Sequence, residues 1–434
     1  MNIMYYILAF LNLITLLFNK RKLDFITIYF LSSLFYYLNI IWGEVYTKQD
    51  DILISQEIND ITYIIMIINM GLIFLFQIMP NITLYKDRYN LKNNIVKNKN
   101  YNCEKYAINT LACINFIIAI YIANKFGLFS LTEFDKLNIL SSSTFIVSYF
   151  KVISIFMYVY IFTQQKVIYN KITYILIMSS IGITFLLGHR SYIVIGSIAI
   201  IFNYIYISSN KFKNMFVYII KYKKLVFVIA MFGIGVYIIK GIYVALFTGQ
   251  YELVIDRLTN IDYYIHSFKL AESNTIMKYI NTISNTNYKV STSTYIIIIT
   301  YFIPFISRLF SVESFSSMMQ RDLFPSARKG SLGSTFIGEA YANGGIVAVF
   351  IFIFILLMIC KLLYDIYKKY NGNLGRTFIL LTAIELAFYI HRNGLATTVI
   401  RVRSYIYILI LLSIMKYIYK VIITSSPKLQ KNNK

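Results

Sequence analysis

Long apolar runs recur along the whole chain and alternate with short polar segments. An α-helix rises about 1.5 Å per residue, so about 20 apolar residues cross the roughly 30 Å hydrocarbon core of a bilayer. Such runs predict membrane-spanning helices, because a helix satisfies its own backbone hydrogen bonds in lipid. We predict eleven spans, over residues 4–18, 25–42, 62–79, 106–123, 142–163, 172–187, 192–208, 225–247, 334–360, 377–390 and 405–423.

Two apolar runs need a separate interpretation. Residues 294–306 form a short run that contains Pro304, which predicts a re-entrant or interfacial segment, with a full crossing as the alternative. The first run, residues 4–18, lacks the basic start and the small-residue cleavage site of a signal peptide. We therefore interpret it as a helix that the protein retains.

Lysine is concentrated in every second loop. The lysine-rich segments are residues 19–23, 81–105, 164–171, 209–224, 361–376 and 425–434. Loops rich in lysine remain in the cytoplasm. The N-terminus is then external, the C-terminus is cytoplasmic, and residues 248–333 form one large external loop. We predict a single transmembrane domain over residues 1–434, of the all-α polytopic class.

Composition excludes several function classes. With 58% hydrophobic and 14% charged residues, the chain differs strongly from soluble domains, in which about 25% of residues are charged. The net charge of +23 is spread over the loops, so we expect contacts with anionic membrane lipids and no nucleic-acid partner. The three cysteines have no CxxC or Cys/His spacing, which predicts neither a disulfide framework nor a zinc site.

Arginine does not follow the distribution of lysine. Of eleven arginines, eight fall on the predicted external side: Arg190, Arg257, Arg308, Arg321, Arg328, Arg392, Arg401 and Arg403. A guanidinium group binds phosphate through two parallel hydrogen bonds, which an ammonium cannot do. The external arginines therefore indicate an anionic ligand outside the membrane. The alternative for any one of them is a side chain that only anchors a helix end at the interface.

Three segments carry the remaining candidate chemistry. A tight external turn at 188–190 places Arg190 at the membrane edge, and a second turn at 391–394 contains His391 and Arg392. Glu339 lies in a segment rich in small residues, 330–345, near the external end of a span. An ionisable group at that depth is costly and marks a functional-site candidate, or else a partner for an arginine within the bundle.

The segment 330–345 ends in Gly-Glu-Ala-Tyr-Ala-Asn-Gly-Gly and follows a long external loop. In this it resembles the Wzy-type oligosaccharide repeat-unit polymerases, also called O-antigen polymerases. The Gly-His-Arg-Ser turn at 188–191 and the arginine-rich segment 392–403 are similar to the same family. The resemblance covers the architecture of the whole chain and rests on short motifs. It implies a GT-C-like glycosyltransferase fold in the bacterial inner membrane.

The resemblance also implies an activity. The enzyme would transfer the growing chain from undecaprenyl diphosphate to the next lipid-linked repeat unit at the periplasmic face, without nucleotide sugar, metal or other cofactor. Its partners would be the undecaprenyl-diphosphate-linked oligosaccharide, membrane lipids and a chain-length regulator protein. By the same resemblance the diphosphates are held by Arg190, Arg308, Arg321, Arg392 and Arg401.

The residues themselves fit that chemistry, since no phosphate-binding glycine loop and no DxD pair for a metal-bound nucleotide is visible. Arginines can neutralise a departing diphosphate in place of a metal. The acceptor hydroxyl needs a base, for which Glu339 is the first candidate and His391 the second. Asp322 and His266 are further alternatives.

Other function classes remain open at this point. A flippase for lipid-linked oligosaccharides is also multi-spanning and basic, but places charges along several helices of a central cavity. Within the predicted spans we find only isolated candidates, such as Lys151 and Lys240. A ligase that transfers the finished polymer to lipid A core shares the fold and the arginines. A membrane O-acyltransferase would also contain paired histidine and arginine residues.

Overall fold

The computed structural model describes most of the chain, and the described part is almost entirely helical. It covers residues 2–18, 23–49, 52–79, 97–126, 144–164, 169–187, 189–209, 215–224, 242, 249–260, 264, 269–270, 272–290, 294–303, 313–325, 335–370 and 372–425.

Within these residues, seven helices are long and apolar enough to cross a membrane. The spans lie at Asp60–Ile78, Cys103–Lys125, Ile146–Thr163, Arg190–Ser209, Phe336–Lys369, Asn373–His391 and Leu395–Ile422. Three shorter apolar helices, Asn2–Phe18, Phe25–Tyr36 and Lys171–Leu186, accompany them. The chain thus has the architecture of a multi-pass α-helical membrane protein. These ten helices overlap with ten of the eleven predicted spans, although the helix of the predicted span 25–42 ends at Tyr36. The eleventh, over residues 225–247, lies almost wholly outside the described residues.

The helices in chain order are α1 to α16. The first eight are α1 Asn2–Phe18, α2 Phe25–Tyr36, α3 Asn39–Trp42, α4 Asp60–Ile78, α5 Lys97–Phe126, α6 Thr144–Thr163, α7 Lys171–Leu186 and α8 Arg190–Ser209. The others are α9 Met215–Lys221, α10 Tyr251–Thr259, α11 Glu272–Asn285, α12 Ile296–Phe302, α13 Phe315–Leu323, α14 Phe336–Lys369, α15 Asn373–Ala387 and α16 Leu395–Ser425. A short 3-10 helix, Tyr389–His391, precedes α16.

The chain forms two compact units. Unit 1 contains Met1–Met79, Ile205–Lys361 and Leu386–Val399, and unit 2 contains Pro80–Tyr204, Leu362–Glu385 and Ile400–Lys434. Each unit is thus assembled from segments that are far apart in sequence, so neither corresponds to a simple division of the chain. The single domain over residues 1–434 stays a prediction.

A β-hairpin in unit 1 was not predicted. Strands β1 Glu44–Gln49 and β2 Ile52–Glu57 pair antiparallel, with Glu44 opposite Glu57 and Gln49 opposite Ile52. Both strands contain β-branched residues, which favour the extended conformation. The hairpin lies in a polar segment between two spans, and it is too short to change the all-α class.

Helix α11 packs on this hairpin and on α2, α3 and α4 within unit 1. Its buried face carries amides as well as apolar side chains. Tyr46 N–H donates to Asn274 Oδ1 at 2.7 Å, and Asn274 Nδ2 donates to the Tyr46 carbonyl at 2.7 Å. Two turns further on, Asn59 N–H donates to Asn281 Oδ1 at 2.9 Å, and Asn281 Nδ2 donates to the Glu57 carbonyl at 3.2 Å. These amides satisfy backbone groups that no neighbouring strand covers.

Helix α12 lies within residues 294–306, the run predicted to be re-entrant or interfacial. It covers seven residues, Ile296–Phe302. At about 1.5 Å per residue it spans roughly 10 Å, which is far less than a bilayer. Residues 304–306 of the predicted segment lie outside the described residues.

In unit 2, α5, α6 and α7 pack against one another. Their apolar core includes Ala119, Ile122, Val147, Phe150 and Leu187. A buried carboxylate, Glu104, accepts from the Tyr160 hydroxyl at 2.6 Å and from Lys416 at 2.7 Å. Glu104 is therefore paired with groups from two other helices, as expected where water cannot reach it.

Candidate active site

Glu339 lies in a helix that is interrupted shortly after it. Helix α14 has non-helical backbone at Gly344 and at Gly345, where φ is 63° and ψ is −154°. That conformation is essentially restricted to glycine. The interruption frees backbone groups of the first helical segment, and Val290 N–H donates to one of them, the Ala342 carbonyl, at 3.1 Å. Irregular backbone at membrane depth occurs where it is covered by protein or lines a cavity.

The Glu339 carboxylate is buried, with the residue 1% exposed. Its Oε2 accepts from the backbone N–H of Leu395 at 2.8 Å. Leu395 is the first residue of α16, so the carboxylate lies at a helix N-terminus, where the backbone dipoles favour negative charge. The second oxygen, Oε1, makes no hydrogen bond among the described residues, although the Thr294 hydroxyl is near the same carboxylate.

The backbone around Glu339 is fixed by Asn343. Its Nδ2 donates to the Glu339 carbonyl at 2.7 Å and to Thr294 Oγ1 at 2.9 Å. Thr294 N–H donates in return to Asn343 Oδ1 at 3.1 Å. The interrupted helix is therefore attached to the segment before α12. The carboxylate has a fixed position, and its buried Oε1 has no hydrogen-bond partner among the described residues.

His391 occupies a box of aromatic rings in the same unit. It is 1% exposed, and its Nδ1 is 2.8 Å from the Tyr37 hydroxyl. The ring centroids of Tyr29, Tyr37 and Tyr36 lie 4.4, 5.3 and 6.0 Å from its own. An imidazolium ion in these surroundings would lose its hydration. His391 is thus well placed to hold the turn before α16, and less well placed to exchange protons with a substrate.

Arg392 and Arg321 both have carboxylate partners. Arg392 forms an ion pair with Glu272 at the start of α11, and its guanidinium carbon lies 5.7 Å from the Tyr389 ring. Arg321, on α13, pairs with Glu313 at 2.6 Å and Asp322 at 2.8 Å. Both arginines are partly exposed. An anionic ligand would have to compete with these carboxylates.

Asp322 is less suited to act as a base than Glu339. It accepts from Arg321 and, at 2.6 Å, from the Tyr288 hydroxyl. These hydrogen bonds lower the pKa of Asp322 below its usual range, because they stabilise the charged form. Burial, together with the hydrogen bond to Asp322, raises the pKa of Tyr288. Asp322 therefore stabilises the local structure of the loop through its contacts with Arg321 and Tyr288.

In unit 2, Arg190 is the first residue of α8. It is half-buried, and its guanidinium carbon lies 5.7 Å from the Phe185 ring centroid. The preceding residue, His189, donates its backbone N–H to the Thr184 carbonyl at 3.1 Å. Only residues 187–189 separate α7 from α8.

Arg401 lies in the interior of unit 2 and pairs with a carboxylate that sequence reasoning missed. Its Nη1 donates to both oxygens of Glu385, at 3.3 and 3.4 Å, and its Nη2 donates to Ser191 Oγ at 3.3 Å. The Tyr405 hydroxyl donates to Glu385 Oε1 at 2.8 Å. Because Ser191 follows Arg190, the structure brings Arg190 and Arg401 into one region of unit 2.

The predicted residues therefore divide between the two units. Glu339, His391, Arg321 and Arg392 belong to unit 1, whereas Arg190 and Arg401 belong to unit 2. Arg308 and the alternative base His266 lie outside the described residues. Glu385 escaped the analysis of the sequence, although a carboxylate inside an apolar run is itself a signal, since it is costly in lipid.

Within the described part of the chain, no group of three or more His, Cys, Asp or Glu side chains could hold a metal ion. No protein-family model, no curated protein and no solved structure matches this chain.

Proposed function

We propose that the chain is an O-antigen polymerase, a glycosyltransferase that joins undecaprenyl-diphosphate-linked repeat units at the periplasmic face of the bacterial inner membrane. The observation that carries the proposal is the Glu339 carboxylate. It is buried, it is held by the Leu395 N–H at an interrupted helix, and its second oxygen has no hydrogen-bond partner among the described residues. A general base needs a fixed position and an oxygen that is not already used by another hydrogen bond.

In the proposed reaction, Glu339 Oε1 accepts the proton of an acceptor sugar hydroxyl. The hydroxyl oxygen then bonds to the anomeric carbon of the donor chain. The bond from that carbon to the diphosphate oxygen breaks, and undecaprenyl diphosphate leaves with the electron pair. Arginine side chains stabilise the negative charge of the leaving group, as hydrogen-bond donors do in other transfer reactions.

A flippase for the same lipid-linked substrate is a second candidate, and one observation favours it. Lys151, Glu385 and Arg401 are buried charged residues of unit 2 on three different helices. In the sequence Lys151 looked like an isolated charge, whereas in the structure Lys151 and Arg401 lie over the same tyrosine ring. Charges carried by several helices are typical of a transport pathway. The ligase that transfers polymer to lipid A core is a further alternative.

The experiment that separates these functions is deletion of the gene, followed by analysis of lipopolysaccharide on a gel. Loss of a polymerase gives lipopolysaccharide with one repeat unit in place of a ladder. Loss of a flippase or a ligase gives core without any repeat unit. The second pattern would overturn the proposal. Purified protein should also lengthen undecaprenyl-diphosphate-linked repeat units without a nucleotide sugar.

A further inference from the structure

Two cationic side chains lie over one buried tyrosine ring in unit 2. The guanidinium carbon of Arg401 is 4.4 Å from the Tyr192 ring centroid, and Lys151 Nζ is 5.3 Å from the same centroid. Tyr192 lies near the start of α8, Lys151 in α6 and Arg401 in α16. The residue exposures are 6% for Lys151, 8% for Arg401 and 9% for Tyr192. Three helices thus place two positive charges in one interior position.

The carboxylate at this position, Glu385, pairs with only one of the two cations, Arg401. Glu385 is fully buried, and it accepts from Arg401 through both oxygens and from the Tyr405 hydroxyl. Among the described residues, Lys151 has no carboxylate partner and no hydrogen bond, and its contact is with the face of the Tyr192 ring. A cation–π contact offsets only part of the hydration that a buried ammonium loses. Among the residues that the structure describes, the cluster therefore has more positive than negative charge.

A low-dielectric interior does not retain an unmatched ammonium without a compensating group. Lys151 and Arg401 also repel each other. An anion between or beside them would remove this repulsion and supply acceptors for the ammonium. Glu385, which is itself held by the Tyr405 hydroxyl, fixes the Arg401 guanidinium, so the arginine would be oriented before the anion binds.

We propose that Lys151, together with the Arg401 guanidinium that Glu385 positions, forms a buried site for a phosphate or diphosphate group. The ammonium contributes a point charge with three donors, and the guanidinium contributes a second, fixed positive charge. The inference rests on the proposed function only for the identity of the ligand, undecaprenyl diphosphate, that carries the phosphate groups. The excess of positive charge is independent of whether the protein polymerises or transports.

Binding to the purified full-length protein in detergent tests the site. The probes are undecaprenyl diphosphate, inorganic diphosphate and the uncharged alcohol undecaprenol, with affinity measured by ligand-induced thermal stabilisation. We expect wild-type protein to bind undecaprenyl diphosphate and not undecaprenol. Binding of inorganic diphosphate as well would show that the headgroup alone is recognised, whereas binding of the lipid alone would show that its chain contributes. Equal binding of undecaprenol, or no binding of either diphosphate, would overturn the site.

The Lys151→Gln variant tests the residue. We expect a loss of roughly ten- to a hundredfold in affinity for the diphosphate, as for other charged hydrogen bonds. Thermal stability without ligand should be unchanged or higher, because an unpaired buried charge has been removed. The matched control is Lys416→Gln, which removes a lysine of the same unit that is paired with Glu104. It should lower stability and leave the affinity of the folded protein unchanged.

Two results would contradict the assignment. Wild-type affinity in Lys151→Gln would show that the ammonium does not touch the anion. Greater loss in Lys416→Gln than in Lys151→Gln would show a general effect of charge. If Lys151→Gln does not fold, Lys151→Arg keeps the charge, and it should retain part of the affinity. The two proposals fail in different experiments. The polymerase proposal fails if the deletion strain makes core without any repeat unit, whereas the site fails if the purified protein does not bind either diphosphate.

Discussion

At the scale of single residues, the contacts of Glu339 set it apart from two other buried carboxylates, Glu385 and Glu104. Glu385 and Glu104 each use their oxygens on a cation and a tyrosine hydroxyl. Glu339 instead accepts from the Leu395 N–H and keeps one oxygen without a hydrogen bond among the described residues. The first two carboxylates therefore hold helices together, whereas Glu339 has an oxygen that can receive a proton.

We expect Glu339→Gln to give a stable and inactive protein. Glutamine keeps the size of the side chain, and its amide oxygen can still accept from Leu395, but it cannot take up the proton. Polymer formation by the purified variant should fall by about a hundredfold or more, with thermal stability close to wild type.

The matched control for that variant is Glu104→Gln, which also changes a buried carboxylate. It would leave Lys416 without its counter-charge, so we expect lower membrane abundance and lower thermal stability, with near-normal activity per folded molecule. Near-normal transfer by Glu339→Gln would remove this residue from the mechanism. His391 would then be the next residue to test.

Arg190 gives a second residue-scale prediction. We expect Arg190→Ala to abolish polymer while the protein remains in the membrane at near-normal level. Arg190→Lys should rescue poorly, because lysine lacks the planar pair of donors that matches a phosphate. Gel analysis of lipopolysaccharide and immunoblotting of membranes measure both effects. Full rescue by lysine would indicate that Arg190 only anchors the helix end, and Arg88→Ala, at a predicted cytoplasmic position, is the control.

At the scale of elements, the interruption of α14 connects backbone conformation with the candidate base. Gly345 has positive φ, and a Cβ built there would meet no heavy atom within 4 Å. The cost of a side chain at this position is therefore conformational and not steric. The interruption at Gly345 follows the helical turn that carries Glu339, whose carboxylate accepts from the first residue of α16.

We expect Gly345→Ala to lower the free energy of unfolding by about 1–3 kcal/mol, the usual cost of a conformation that only glycine adopts freely. The control is Gly182→Ala in the middle of α7, where the glycine also has open space around it. Alanine there should be neutral or stabilising by about 0.5–1 kcal/mol, because it favours helix. Thermal unfolding in detergent compares the two, and equal effects would contradict the conformational explanation.

Helix α11 gives a further prediction at this scale, since its Asn274 acts as a strand partner for β1. Asn274→Ala would leave the N–H and the carbonyl of Tyr46 without their acceptor and donor. We expect a loss of about 1–3 kcal/mol in stability, the cost of unsatisfied buried polar groups. Thr286→Ala, which removes an exposed hydroxyl just after α11, should change stability little.

The sequence predicted the spans well but missed the hairpin and most hydrogen-bond partners, and each difference has a physical reason. Spans are long and nearly uniform, so apolar length alone locates them, and ten predicted runs overlap with helices. The hairpin was missed because its strands are short and lie in a polar loop. The hydrogen-bond partners of polar side chains were missed most often, because they lie far apart in sequence. Glu385 and Arg401 are separated by 16 residues, and Asn274 and Tyr46 by 228. Sequence patterns show which side chains are costly to bury, but not which group offsets the cost.

At the scale of the whole molecule, three contacts within unit 1 relate loops that are far apart in sequence. Asn274 binds the hairpin at Tyr46, Asn281 binds the chain at Glu57, and Arg392 pairs with Glu272. Groups in direct contact outside the spans must lie on the same side of a membrane. The segments around the hairpin, α11 and the turn before α16 therefore share one side, and an even number of crossings must separate them.

The predicted topology meets this condition. Six predicted spans, from residues 62–79 to residues 225–247, separate the hairpin from α11, and two more, 334–360 and 377–390, separate α11 from the turn at 391–394. A full crossing by residues 294–306 would make the second number odd and would place Glu272 and Arg392 on opposite sides. The ion pair thus favours the re-entrant or interfacial alternative for that run.

Reporter fusions that are active on only one side of the membrane test this arrangement. We expect external signals from fusions at Asp51, within residues 248–333 and after Arg392, because these loops share one side and the lysine-rich loops lie on the other. Fusions within 81–105 and 209–224 should report the cytoplasm. Opposite signals before and after residues 294–306, both within the loop 248–333, would show a full crossing there. A cytoplasmic signal at Asp51 together with an external signal within 81–105 would reverse the whole orientation. The contacts of Glu339 would stand, but its assignment to periplasmic chemistry would not.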